Sequence, residues 1–197
     1  MKRVLLSAAA VLSVAAVSAI VAAPQARSES PATKWTVDPV HSTVLFKIKH
    51  LGASWTYGRF DSIEGGVDAA DDGTSPTAVR LVLKTESVNT GNEKRDGHLK
   101  SPDFFSAKQF PEITFQSTSA KPLDADTTEV TGDLMLHGVT KSVTAKVVRV
   151  GTGSMQGKTV AGWETTLAIK RSDFGMAKMV GPVGDDVTLT VAVEAGK

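Results

Sequence analysis

After a polar leader at Ala26–Lys34, the chain changes sides at almost every residue. Thr43–His50 puts Val44, Phe46, Ile48 and His50 on one face and Leu45, Lys47 and Lys49 on the other, the two-residue period of a strand with one side in a core and one in water. Thr77–Glu86 repeats the pattern with Val79, Leu81 and Leu83 inward. Trp35–Asp38, Arg59–Ala69, Ile113–Ser117, Val130–His137, Ser142–Val150, Val160–Lys170 and Val187–Glu194 continue the series, separated by Gly, Pro, Asn and Asp. Gly65-Gly66 predicts a bulge or a close backbone approach inside its strand, and Asp71–Pro76 predicts a turn.

Asn89–Lys108 departs from this alternation. Its charged stretch Asn92–Lys100, followed by Pro102, predicts one or two short helices, the proline ending the first and opening the second. Leu99, Phe104 and Phe105 would cover an apolar surface from there. No repeat or low-complexity linker divides the chain, so one domain spans residues 33–195. Eight or nine antiparallel strands with one helical interruption fit either a closed barrel or a two-sheet sandwich. An eight-stranded barrel has room inside for its own side chains or for one slender ligand.

The first residues have a different pattern. Lys2 and Arg3 precede an uncharged run from Val4 to Ala23, and small residues follow it, as in a secretory signal. Residues 1–26 are therefore expected to be a signal peptide, with the mature protein in the periplasm or secreted; an uncleaved anchor is the alternative, since the run reaches the lower length of a spanning helix. The whole chain of 197 residues carries a formal +1 charge. Removal of 1–26 takes away two cations and leaves 20 Lys+Arg against 21 Asp+Glu, a balance that gives nucleic acid no basic field to bind. Cysteine is absent, which excludes disulfides, thiolate nucleophiles and cysteine-held clusters.

Motifs for catalysis are missing as well. There is no G-x-S-x-G, no H-E-x-x-H and no glycine-rich phosphate loop. Asp71-Asp72 and Asp185-Asp186 lie in turn-like contexts that explain them by solvation. His41, in Asp38-Pro39-Val40-His41-Ser42, fits a turn network; His137, just before Gly138, fits a tight connection between strands. A zinc site would need His137 to converge with at least two of His41, His50, His98 and nearby carboxylates. His50 ends an apolar face, where it would meet either a ligand head group or a backbone carbonyl. Arg95, Asp96 and His98 would fasten a lid or form a solvated helix face. The candidate ligand contacts are thus Phe46, Ile48, Phe60, Val79, Leu81, Leu83 and Phe115 on the walls, Phe104 and Phe105 on the insertion, and His50 and His98 at the rim.

Several longer stretches occur in a fixed order: TKWTVDPVHSTVLFKIKHLG at Thr33–Gly52, YGRF at Tyr57–Phe60, LKTESVNTGNEKRDGHLKSPDFFSAKQFPEITFQST at Leu83–Thr118, GDLMLHGVTKSV at Gly132–Val143 and KRSDFGM at Lys170–Met176. In this combination the chain resembles the YceI-like family of bacterial exported, polyisoprenoid-binding proteins over almost all of the expected mature chain. The resemblance implies an all-β, lipocalin-like barrel of eight antiparallel strands with a short helical insertion. It also implies non-catalytic binding, carriage or storage of a long isoprenoid or similar aliphatic lipid in an apolar tunnel. No cofactor is then required; the expected bound molecule is a polyisoprenoid or an isoprenoid quinone, and the expected partners are that lipid and, transiently, a membrane or a lipid-donor protein, with a homo-oligomer left open. A protein-interaction domain with a filled core and a small periplasmic hydrolase are the competing readings.

Overall fold

A computed structural model describes residues 32–197; the expected signal at 1–26 lies outside the described residues. The alternation becomes eleven strands: β1 (Thr33–Val37), β2 (Thr43–His50), β3 (Ser54–Phe60), β4 (Ile63–Ala69), β5 (Ala78–Lys84), β6 (Val88–Asn89), β7 (Glu112–Pro122), β8 (Thr127–Leu136), β9 (Val139–Met155), β10 (Lys158–Lys170) and β11 (Val183–Gly196), with one α-helix, α1 (Glu93–Leu99), and short 3-10 turns at Thr85–Ser87 and Arg171–Phe174 among the described residues. Eight of them form a ring in the order β1-β4-β5-β7-β8-β9-β10-β11, and β1 pairs back onto β11 to close it. Every pairing is antiparallel. The fold is therefore the barrel, not the sandwich.

The other three strands extend the walls. One edge of β11 pairs with β1 at Ala195–Gly196 and with β2 along Val183–Ala192. Strand β3 pairs with β2 on one side and β6 on the other. Thus β2, β3 and β6 continue β1, β4 and β5 beyond three local breaks. Two of these breaks meet: the Asp61 N–H donates to the Ser87 carbonyl at 3.0 Å and the Ser62 N–H to Ser87 Oγ at 3.1 Å.

One expectation needs correction, and two alternatives are decided. Arg59–Ala69 is not one strand, because Asp61-Ser62 interrupts it, and its first part belongs to a strand that starts at Ser54. That start was hidden because Trp55 and Tyr57 point outward while the inward positions hold Thr56 and Gly58. Gly65 makes a close approach, not a bulge: a Cβ there would lie 2.0 Å from the Arg80 carbonyl oxygen, its φ is +147°, and the β4–β5 register runs unbroken. After Pro102 no second helix forms. The chain doubles back instead, with Phe105 N–H donating to Leu99 O, Ala107 N–H to Lys100 O, and Ser106 left-handed at φ 48°. Helix α1 itself is short and capped by Asn92, whose side chain accepts from the Arg95 N–H at 3.0 Å.

Candidate ligand-binding site

Inward residues of the barrel wall face its axis. They surround an apolar cavity of about 210 Å³ that runs from Pro76 and Trp163 at one end to Leu99, Phe104, Phe105 and Val183 at the other. Strand alternation produces this lining directly, since residues two apart share a face. Phe46 and Ile48 of β2, Phe60 of β3, Val79, Leu81 and Leu83 of β5, Phe115 of β7 and Phe104 and Phe105 of the insertion all line it. The sequence reading missed Leu134 and Leu136 of β8 and Val187, Leu189 and Val191 of β11, which also line it. Their alternation was visible in the sequence, and only the closed ring makes those faces part of the same wall.

Two phenylalanines are kept against the wall by glycines. Phe46 is paired in register with Gly58, where a Cβ would fall 2.2 Å from its Cζ. A Cβ on Gly132 would fall 2.5 Å from Phe115 Cζ. The rings lie along the strands over these bare backbones, as aromatic side chains commonly do beside strand glycines. Phe60 links the first ring to the insertion, 5.9 Å from Phe46 and 5.5 Å from Phe105 between centroids.

The two ends of the cavity differ. At the floor, Trp35 and Trp163 meet edge to face at 5.9 Å, Ala69, Ala161 and Ala195 are buried around them, and Trp163 Nε1–H donates to the Gly73 carbonyl at 3.1 Å. At the mouth, Ile48, Leu99, Phe105 and Val183 are only partly buried. Arg171 organises that end. Its guanidinium, 3% exposed, donates to the carbonyls of Met176, Lys178, Val183 and Gly184 at 2.5, 2.8, 3.1 and 2.8 Å. Phe104 lies 5.8 Å from it. Burial pushes the Arg171 pKa down while nearby Asp185 pushes it up; arginine keeps its charge through such a shift. This is a second signal the sequence reading passed over, although KRSDFGM was among the family stretches.

The histidines stay apart from the cavity. His50 is exposed at the end of β2 and His98 is exposed on α1, bonded to Asp103 at 3.1 Å and stacked edge-on against Phe104. Neither lines the cavity: β2 has already passed the rim at His50, and the last turn of α1 directs the His98 ring outward to a local carboxylate. Arg95 and Asp96 instead brace the start of the insertion, both bonding Thr90. His137 sits in the two-residue β8–β9 turn with Gly138, at φ 53° and 74°, the mirror-type turn that suits a hairpin twist. Its Nδ1 is 3.0 Å from the Phe174 carbonyl oxygen and its ring packs on Phe110.

Among the described residues, Asp38, His41 and Glu194 are the group whose potential ligand atoms converge, within 4.8 Å of one another. They lie at the β1–β2 break on the outside of the barrel. A 2.9 Å Asp38–His41 hydrogen bond accounts for the arrangement. That bond holds the Asp38 carboxyl below its ordinary range and raises His41, with Glu194 adding to the latter. No group in the described residues joins two histidines.

A closed, eight-stranded antiparallel barrel around an apolar cavity is the architecture of the lipocalin-like binding proteins. The model of the YceI-like domain matches residues 35–195, and the chain belongs to that family. Among its relatives are the protein YceI of Escherichia coli O17:K52:H18, 40% identical over 78% of this chain and 81% of that protein, and a UPF0312 protein of Pseudomonas aeruginosa, 39% identical with the same coverage. Its structure is similar to that of Campylobacter jejuni YceI (TM-score 0.69, 33% identity, 76% of this chain and 89% of that one) and of Burkholderia cenocepacia BcnA (0.72, 25%, 81% and 99%). A polyisoprenoid binding domain from Saccharophagus degradans shares the fold at TM-score 0.64 and 18% identity.

Proposed function

We propose that this protein is a non-catalytic, exported carrier or store for a long aliphatic lipid, an isoprenoid chain or isoprenoid quinone being the best fit. The observation that carries the reading is the apolar cavity, lined mainly by aliphatic and aromatic side chains from nine of the eleven strands. Family membership and the likeness of the fold to the polyisoprenoid binding domain of Saccharophagus degradans point the same way. Each five-carbon unit moved from water into such a lining contributes about 3–4 kcal/mol before association and ordering costs. A few buried units therefore give useful affinity without a strong head-group contact. The nine lining residues anticipated from the sequence would touch the chain; His50 and His98 would act, if at all, on a part of the ligand outside the cavity. The filled-core reading fits this interior poorly, and a hydrolase would need a catalytic group facing the ligand, whereas the converging Asp38, His41 and Glu194 lie outside the barrel and are explained by the Asp38–His41 hydrogen bond.

The test is native purification from the exporting cell, intact-mass measurement without denaturation, and identification of any extracted lipid. A stoichiometric apolar ligand is expected. A natively folded protein that carries none, and takes up no long-chain ligand offered to it, sinks the proposal.

A further inference from the structure

The outer face of the β2–β3 hairpin breaks the rule that the water side of a barrel strand is simply polar. Lys49 is paired with Trp55 and Lys47 with Tyr57, so these four side chains share one outward patch. Trp55 is 47% exposed and Tyr57 61%. The ammonium groups of Lys47 and Lys49 both lie over the Trp55 ring, 5.0 and 5.5 Å from its centroid. Neither lysine is in an ion pair among the described residues. Two like charges thus share an aromatic surface without a counter-charge.

The patch continues to the cavity mouth. Leu51 is 66% exposed, and Met179 and Val180 are 44% and 45% exposed. Leu51 and Met179 are held at φ 53° and 57°, a left-handed region that bulky apolar residues seldom occupy. The Leu51 N–H donates to the Pro182 carbonyl at 2.7 Å and the Val183 N–H to the Met179 carbonyl at 3.0 Å. The backbone therefore fixes apolar side chains in water on two adjoining loops, beside Ile48 and Val183 of the open end.

Apolar tips beside the mouth, next to a zone where Trp55, Tyr57 and two lysines share the same levels of the hairpin, combine the residue types that meet a bilayer surface: apolar side chains for the acyl region, amphipathic rings and basic groups for the headgroup layer. The centre of a protein–protein interface is instead depleted in lysine. We infer that this face docks the barrel, mouth first, on an anionic phospholipid bilayer. The inference rests on the proposed lipid-binding function for its purpose, since docking would bring the cavity to the phase that holds its ligand.

Co-sedimentation of the mature chain with vesicles of phosphatidylcholine, alone or mixed with phosphatidylglycerol, tests it. Binding is expected only to the mixed vesicles, weakening with salt. Trp55, the exposed one of three tryptophans, should be shielded from a water-soluble quencher on binding. The double variant Lys47→Glu/Lys49→Glu should reduce affinity by about tenfold or more, and Leu51→Asp should also reduce it, both with unchanged melting curves. Absence of wild-type binding, binding indifferent to these substitutions, or capture of a protein with vesicles ignored overturns the inference. Uptake of a soluble apolar fluorophore into the cavity is measured alongside. Uptake without docking sinks the inference and leaves the carrier reading; docking without uptake does the reverse.

Discussion

The floor and the mouth of the barrel are ends of the same strands, closed by opposite means. At the floor, two tryptophans and three alanines pack against each other and against the Gly73 loop, and a Cβ on Gly73 would come within 2.7 Å of Ala161 Cβ. At the mouth, a cation gathers four carbonyls, two from the segment between β10 and β11 and two from the first residues of β11, and the neighbouring side chains remain partly exposed. Packing closes the floor on all sides at once. A hydrogen-bonded loop can be displaced as a unit without breaking the walls, because local opening takes the least densely packed segments first. The lesson is that apolar contact seals the cavity where nothing need pass, and polar bonding shapes it where a ligand would enter.

Substitutions at the two ends should sharpen that contrast. Trp163→Ala removes a buried ring, its stacking on Trp35 and its bond to Gly73; it should destabilise the whole barrel by about 3–5 kcal/mol in urea unfolding. A loss under about 1 kcal/mol would mean that the floor is no plug. Arg171→Met leaves four carbonyls without their donor, and about 2–4 kcal/mol should be lost. Here the readout is local: amide exchange should accelerate across 176–184 while floor amides keep their protection, and uniform acceleration would erase the distinction between the ends.

Gly58→Ala acts between them. The new methyl collides with the Phe46 ring, costs about 1–3 kcal/mol as overpacking, and drives the ring into the cavity, so affinity for a long-chain fluorophore should fall several-fold. Adding Phe46→Leu should restore uptake; failure to do so would separate the ring from the cavity's capacity.

The smallest effect should come from the Asp38–His41 pair at the β1–β2 break. His41 has a folded-state pKa raised above its ordinary value, so its stabilisation is full below about pH 6.5 and fades as pH rises through the folded value. Asp38 is depressed, so its part is present above its ordinary value and is lost only as pH falls through the lower one. The difference in melting temperature between the protein and His41→Ala should be largest near pH 5.5 and shrink toward about pH 8. A difference that grows with pH would exclude this pairing in solution.

Much of the wall was legible because strand alternation is local. Phe46, Ile48, Val79, Leu81, Leu83 and Phe115 needed only a period of two to be placed on an inward face. The segment Ser54–Tyr57 escaped because its apolar side chains point outward and its inward positions carry Thr56 and Gly58. His50 was placed at the rim because it ends the Val44, Phe46 and Ile48 face, and His98 because it lies in the insertion; whether such a ring faces a cavity depends on where the rim falls and on a partner such as Asp103.

The sequence by itself determined the all-β character, the inward faces of the strands whose alternation is regular and the interrupting helix, since each follows from periodicity and from proline or cap chemistry within a few residues. Tertiary structure alone decided that β1 returns to β11 and that Gly58 and Gly132 hold two rings off the axis. It also decided that Arg171 draws four carbonyls around one end and that Lys47, Lys49, Leu51 and Met179 gather beside the mouth. Those features join residues distant in the chain, and no local pattern encodes which strand edge will meet which.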